Sequence, residues 1–115
     1  MGLALGFTQV AGQITTERYI PVGQSPGLSG VVTFVGQIES VDAQGRSYTV
    51  QNEAEARTVR LDDRTHIWLD RSSLRQASAT GSASDLRTGV TVEIRYRDDD
   101  RGEPADWVKV AVTGG

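Results

Sequence analysis

The sequence contains no cysteine, a single histidine and a single lysine, and no apolar run long enough to cross a membrane as a helix. Each absence removes a class of chemistry. Without cysteine there are neither disulfides nor thiolate metal sites, although the redox compartment stays undecided. The lone histidine, His66, has no acid–nucleophile pattern beside it, which makes it a poor sign of nucleophilic catalysis. There is no nucleophile elbow, no phosphate-binding glycine loop and no HExxH pair. The chain is therefore expected to be no enzyme and to use neither a metal nor a cofactor. A membrane-spanning helix needs about 20 apolar residues, and the apolar opening Met1–Phe7 is much shorter.

Charge narrows the partners. There are 15 acidic and 12 basic residues, for a net charge of −3. Phosphate backbones reward clustered Lys and Arg. Here the bases are interspersed with acids, so nucleic acid is disfavoured as a partner. Every basic residue but Lys109 is arginine, a bias that a GC-rich genome explains. A length of 115 residues fits one domain. The mean hydropathy of −0.33 implies one modest core, with part of the chain outside it.

The stretch from Val31 to Leu69 carries the clearest strand signals. Val31–Val41 is rich in β-branched and aromatic residues, which suit a pleated, half-buried surface. Gly36 in its middle predicts a bulge or sharp bend. Asp42–Gly45 reads as a turn, with Asp42 bonding backbone N–H groups ahead of it. Tyr48 and Val50 then share one face, Val59 and Leu61 the next inward pair, and Ile67 and Leu69 another. Short strands in this succession suggest an antiparallel meander.

The second half adds two strands. Asp70–Ser84 reads as a loop of Ser, Ala, Thr and Arg. Ser84–Gly89 reads as one helical turn, capped by Ser84 and ended by Gly89. In Val90–Tyr96, residues Val90, Val92, Ile94 and Tyr96 face in, while Thr91, Glu93 and Arg95 face out. Arg97–Pro104 is a charged hairpin loop, and Val108, Val110 and Val112 face in on the last strand. The expected fold is mainly β: a small antiparallel OB-like barrel of about six short strands, one short helical turn and an extended N-terminal arm. An open sandwich is the alternative. The expected boundaries are 1–30 for the apolar segment and arm and 31–113 for the barrel.

The N-terminal segment has two parts. Residues 1–12 resemble the end of a secretory signal, with an apolar run before small residues, though without a basic start. Gln13–Gly30 reads as an extended arm, broken by Pro21 and Pro26. It nevertheless carries Tyr19, Ile20, Val22 and Leu28, which are out of place in a solvated linker. These four residues are candidate partner contacts, by docking on the domain itself or on a neighbour. A disordered tail is the alternative.

The segments Gly36–Asp42, Thr65–Ile67, Asp85–Val92 and Ala105–Val110 together resemble the exported bacterial β-barrel domains of unknown function in the DUF5666-like group. The resemblance runs from about Gly36 to Val112 and rests on glycines, turn acids and core valines. It implies an OB-like barrel and a periplasmic or secreted location, and it brings no catalytic residues.

Three surface features remain. Trp68 and Trp107 fall on the face opposite their strands' aliphatic residues. Outward tryptophans can stack on sugars or bases; they can equally be covered by the arm or the long loop. Asp98–Asp100 with Glu103 and Asp106 is acidic enough to suggest Ca²⁺, but its spacing is not that of an EF-hand and Arg97 and Arg101 flank it, so a solvated hairpin tip is expected. The functional expectation is a non-catalytic exported domain acting through protein–protein contacts, above all a homo-oligomer formed through the arm. The alternative is an OB-like ligand-binding module for glycan or single-stranded nucleic acid, using Trp68, Trp107, Arg60 and Arg95.

Overall fold

The computed structural model describes residues 17–42, 44, 46–97 and 104–113. Seven strands are present among them: β1 (Phe34–Val41), β2 (Ser47–Gln51), β3 (Ala56–Arg60), β4 (His66–Asp70), β5 (Ala79–Thr80), β6 (Thr91–Tyr96) and β7 (Ala105–Ala111). They form one mixed sheet in the order β3-β2-β1-β6-β7-β4-β5. Every pairing is antiparallel except β4 with β7, which is parallel. No helix among the described residues is long and apolar enough to cross a membrane.

Alternation builds the core. Phe34 and Ile38 of β1, Tyr48 and Val50 of β2, Val59 of β3, Val92, Ile94 and Tyr96 of β6, and Val108 and Val110 of β7 form one buried cluster. Leu61, Ile67, Leu69 and Val90 pack against it, half-buried. The interior is filled. A void in it, bounded by residues such as Ile38, Tyr48 and Val108, is about 10 Å³. That is at the lower limit for a single water molecule, so this void is no ligand chamber.

β3 and β4 are consecutive in the chain yet stand far apart in the strand order, with only residues 61–65 between them. The sheet therefore folds over on its core. The corner is stapled from several sides. Asp62 accepts hydrogen bonds from the Arg64 N–H at 2.9 Å and from the Arg97 guanidinium at 2.8 and 3.0 Å. Thr65 Oγ1 donates to the Ala105 carbonyl at 2.7 Å. The Arg97 hydrogen bond, above all, holds the Asp62 carboxyl well below the usual carboxylate range. The hydrogen-bonded ladder nevertheless ends at β3, so the sheet is not closed.

Several local expectations are corrected. The first strand begins at Phe34, because Val31–Thr33 are turn residues whose N–H groups all point to the Leu28 carbonyl. Gly36 is not the bulge. The register slips between Ile38 and Ser40 instead, and Gly36 is where the backbone of β2 comes close: a Cβ there would lie 2.5 Å from the Gln51 carbonyl oxygen. The long loop after β4 contains a 3₁₀ turn (Ser72–Leu74) and the two-residue strand β5, which raises the strand count to seven. The helical turn is a 3₁₀ turn over Ala83–Asp85, and Ser82 rather than Ser84 caps it, with Asp85 returning the bond in a capping box. The sheet is mixed rather than antiparallel because β7 lies between β6 and β4 and runs alongside β4. Asp42 does bond ahead of itself, to the Arg46 N–H at 2.9 Å.

Candidate functional site

The face of β6, β7 and β4 that points away from the core carries the unusual chemistry. Cross-strand pairing sets Glu93 beside Lys109, Lys109 beside Trp68, Arg95 beside Trp107, and Trp107 beside His66. The rings form a stack, with centroids 5.8 Å apart for His66 and Trp68 and 5.4 Å for Trp68 and Trp107. The Lys109 ammonium sits 5.0 Å from the Trp107 ring centre. Outward residues of a sheet are ordinarily wet, yet Glu93 and Lys109 are both 0 % exposed.

The arm accounts for that burial. From Glu17 to Thr33 it lies against this face, shaped by two β-turns. Pro21–Gln24 and Ser25–Leu28 each close with an N–H to carbonyl bond of 3.1 Å. Each has glycine in the third place, Gly23 at φ +78° and Gly27 at φ +74°, which is the type II arrangement with proline at or before the second place. The turns aim donors at the sheet. Glu93 Oε1 accepts from the Gly23 N–H at 2.9 Å, and Glu93 Oε2 accepts from Ser29 Oγ and Thr33 Oγ1, both at 2.7 Å. Lys109 Nζ donates to Glu17 Oε1 at 3.2 Å and stands 3.8 Å from Glu93 Oε1. Ser25 Oγ donates to Glu17 Oε2 at 2.7 Å.

A second anchor lies at the end of β4. Asp70 accepts the Val22 N–H at 2.9 Å and the Ser72 N–H at 3.0 Å. Burial pushes its carboxyl up, but the bonds from Ser72 and Val22 and the charge of Lys109 outweigh that, and its pKa is lowered. The arm is thus held mainly by carboxylates that collect N–H, hydroxyl and ammonium donors, with one ammonium set between two buried glutamates.

The residues singled out from sequence are distributed unevenly around this site. Trp68 and Trp107 do face away from the core, but they are only 6 % and 1 % exposed. Arg95 lies next to Trp107, whereas Arg60 is on β3 opposite Ser47, at the far end of the strand order. On the arm, Ile20, Val22 and Leu28 are half-buried, while Tyr19 is 60 % exposed beneath the Arg18 guanidinium. Asp98–Glu103 and residues 1–12 lie outside the described residues. No group of three or more His, Asp or Glu side chains among the described residues is arranged to hold a metal.

Sequence reasoning missed Glu17, Ser25, Ser29, Thr33, Glu93 and Lys109 as a unit. The one available signal was Lys109 itself, the sole lysine, set between two core valines. Comparison with family models, curated proteins and solved structures finds no match to this chain.

Proposed function

We propose that this chain is a non-catalytic, exported β-barrel domain of the OB-like, DUF5666-like kind that acts through protein–protein contacts, with its arm as the element that assembles copies. The observation that carries the reading is the arm's posture. It is fastened to its own sheet and yet leaves large apolar side chains outward: Tyr19 is 60 % exposed and Val31, at its root, 77 %. Val41, at 37 %, is the other large hydrophobic residue that stands out among the described residues. A fastened arm offers these side chains in one fixed arrangement, so a partner spends little ordering entropy on them. The barrel reading draws on the stapled corner between β3 and β4 and on the single core. The export reading draws on the character of residues 1–12.

The test is the solution mass by light scattering. The full chain should assemble, and a Tyr19→Ser, Val31→Ser double variant should be a monomer with an unchanged far-UV spectrum. A monomeric wild type across a broad concentration range overturns the reading.

A second reading, an OB-like module for glycan or single-stranded nucleic acid, draws on the stacked pair Trp68 and Trp107 beside Arg95. It requires the arm to lift. Ligand-induced quenching of tryptophan fluorescence supports it, and no quenching over a wide panel removes it.

A further inference from the structure

Lys109 and the two glutamates form a group that the assembly reading does not use. A lysine that is 0 % exposed touches the carboxylate of one glutamate and neighbours a second that is also 0 % exposed. The arrangement has net negative charge in a dry site. Removing ions from water is costly, and attraction between them repays this only in part. Any reaction that deletes a positive and a negative charge together relieves that cost.

We propose that Lys109 and Glu17 condense into a side-chain amide, a covalent tie between the arm and β7, with Glu93 relaying the proton. The step balances as follows. The ammonium of Lys109 passes one proton to the Glu17 oxygen it touches, the neutral amine attacks Cδ of the resulting carboxylic acid, and Glu93 takes up the second proton from the nitrogen. A carbon–nitrogen bond forms and one carbon–oxygen bond of the carboxyl breaks. The departing oxygen leaves as water, carrying two protons from the nitrogen, one of them handed on by Glu93. Glu93 ends as it began, a carboxylate. One positive and one negative charge disappear, and no oxidant or reductant takes part.

The site supplies what this reaction needs. The amine and the carboxyl are in contact at 3.2 Å. Fixed proximity of this kind is worth effective concentrations of about 10⁵ M or more. Ser25 Oγ donates at 2.7 Å to Glu17 Oε2 and so draws electron density from the carboxyl carbon. Glu93 lies directly across the ladder from Lys109, within 3.8 Å of Nζ. It is held there by the Gly23 N–H and by the Ser29 and Thr33 hydroxyls. The Trp107 ring walls the amine on another side, at 5.0 Å. Burial keeps out the water that would reverse the reaction. A chain without cysteine has no disulfide with which to pin its arm, and this bond does the same work. The proposal stands whether or not copies assemble.

The experiment is the mass of the purified, folded full chain. It should be lighter than its sequence by one water. A tryptic digest should join the peptide ending at Arg18 to the peptide beginning at Gly102, with Lys109 uncut. Because Lys109 is the only lysine, an amine reagent applied in denaturant should find no lysine to label. Glu17→Gln should instead lose one ammonia, since its amide releases that group on the same attack. Lys109→Arg should show its full sequence mass. Glu93→Gln, with its fold checked by far-UV spectroscopy, should also keep its full mass; a cross-link that survives in it overturns the role given to Glu93. A wild type at full mass, with Lys109 cut and labelled, overturns the proposal. So does a lost water that maps to any other pair.

Discussion

Gly36→Ala separates two reasons for a glycine in a strand. If Gly36 only let β1 bend, alanine would cost little. The structure instead places the new Cβ 2.5 Å from the Gln51 oxygen, 2.9 Å from the Gln51 carbonyl carbon and 3.1 Å from Val50 Cγ1. Two of those three atoms are backbone and cannot rotate aside. Ordinary contact begins at 3.4 Å, so β1 and β2 must part by about 0.9 Å, the difference between 3.4 and 2.5 Å. Overpacking of this kind costs about 1–3 kcal/mol. Each ladder bond stretched beyond use adds about 0.5–1.5 kcal/mol. Alanine recovers about 0.4–1 kcal/mol by restricting the unfolded chain. With one ladder bond lost, the net expectation is a loss of about 0.5–4 kcal/mol. Urea unfolding followed both by tryptophan fluorescence and by far-UV circular dichroism measures it, since Trp68 and Trp107 sit on β4 and β7, away from the altered pair. A midpoint unchanged or raised would refute the close-approach argument and restore the flexible-bend one.

Other predictions follow from the site and the corner. Glu93→Gln keeps the shape, but only its amide oxygen can still accept, from the Gly23 N–H, while its NH2 must donate to the Ser29 and Thr33 hydroxyls. Three charge-assisted bonds give way to neutral ones, a loss of about 1 kcal/mol each; urea midpoints at neutral pH should show roughly 3 kcal/mol in all, and a change too small to resolve would mean the arm is not seated on Glu93. The Asp62 carboxyl is lowered chiefly by Arg97, so its contribution is present above the unfolded value of about 4 and lost as pH falls through the lower folded value. Asp62→Asn should therefore flatten the acid limb of the stability curve below that pH, and curves that stay parallel to wild type would contradict the pairing. Asp70→Asn should act in the same direction, since the Asp70 pKa is also lowered. Acrylamide should quench the tryptophans several-fold less in the folded protein than in urea, because both are nearly covered; equal quenching in the two states would show that the arm leaves that face open.

Most of the sheet was legible because period-two alternation is a strong local signal. Tyr48 with Val50, and Val92 with Ile94, are inside as the pattern demands. Gly36 was misread because a close approach and a bend leave the same residue in the sequence. β5 was missed because two residues carry no period. The site itself was nearly silent. Glu93 was rightly placed facing outward, but direction is a local property and cover is not: its burial depends on Gly23, Ser29 and Thr33, which lie 60 or more residues away. Glu17 and Lys109 are separated by 92 residues, and nothing in either neighbourhood announces the other.

The strand order has a consequence for how the chain comes to be folded. The strands synthesised last, β6 and β7, lie in the middle of the sheet, with β1 on one side and β4 on the other. Until both exist, the β1–β3 meander and the β4–β5 pair have no shared neighbour, and the arm has neither Glu93 nor Lys109 to rest on. Contacts between distant parts of a chain form slowly in any case. The domain therefore stays open until β6 and β7 have been made and then closes at once. Any event that needs this domain unstructured has the time before β6 and β7 are made in which to occur.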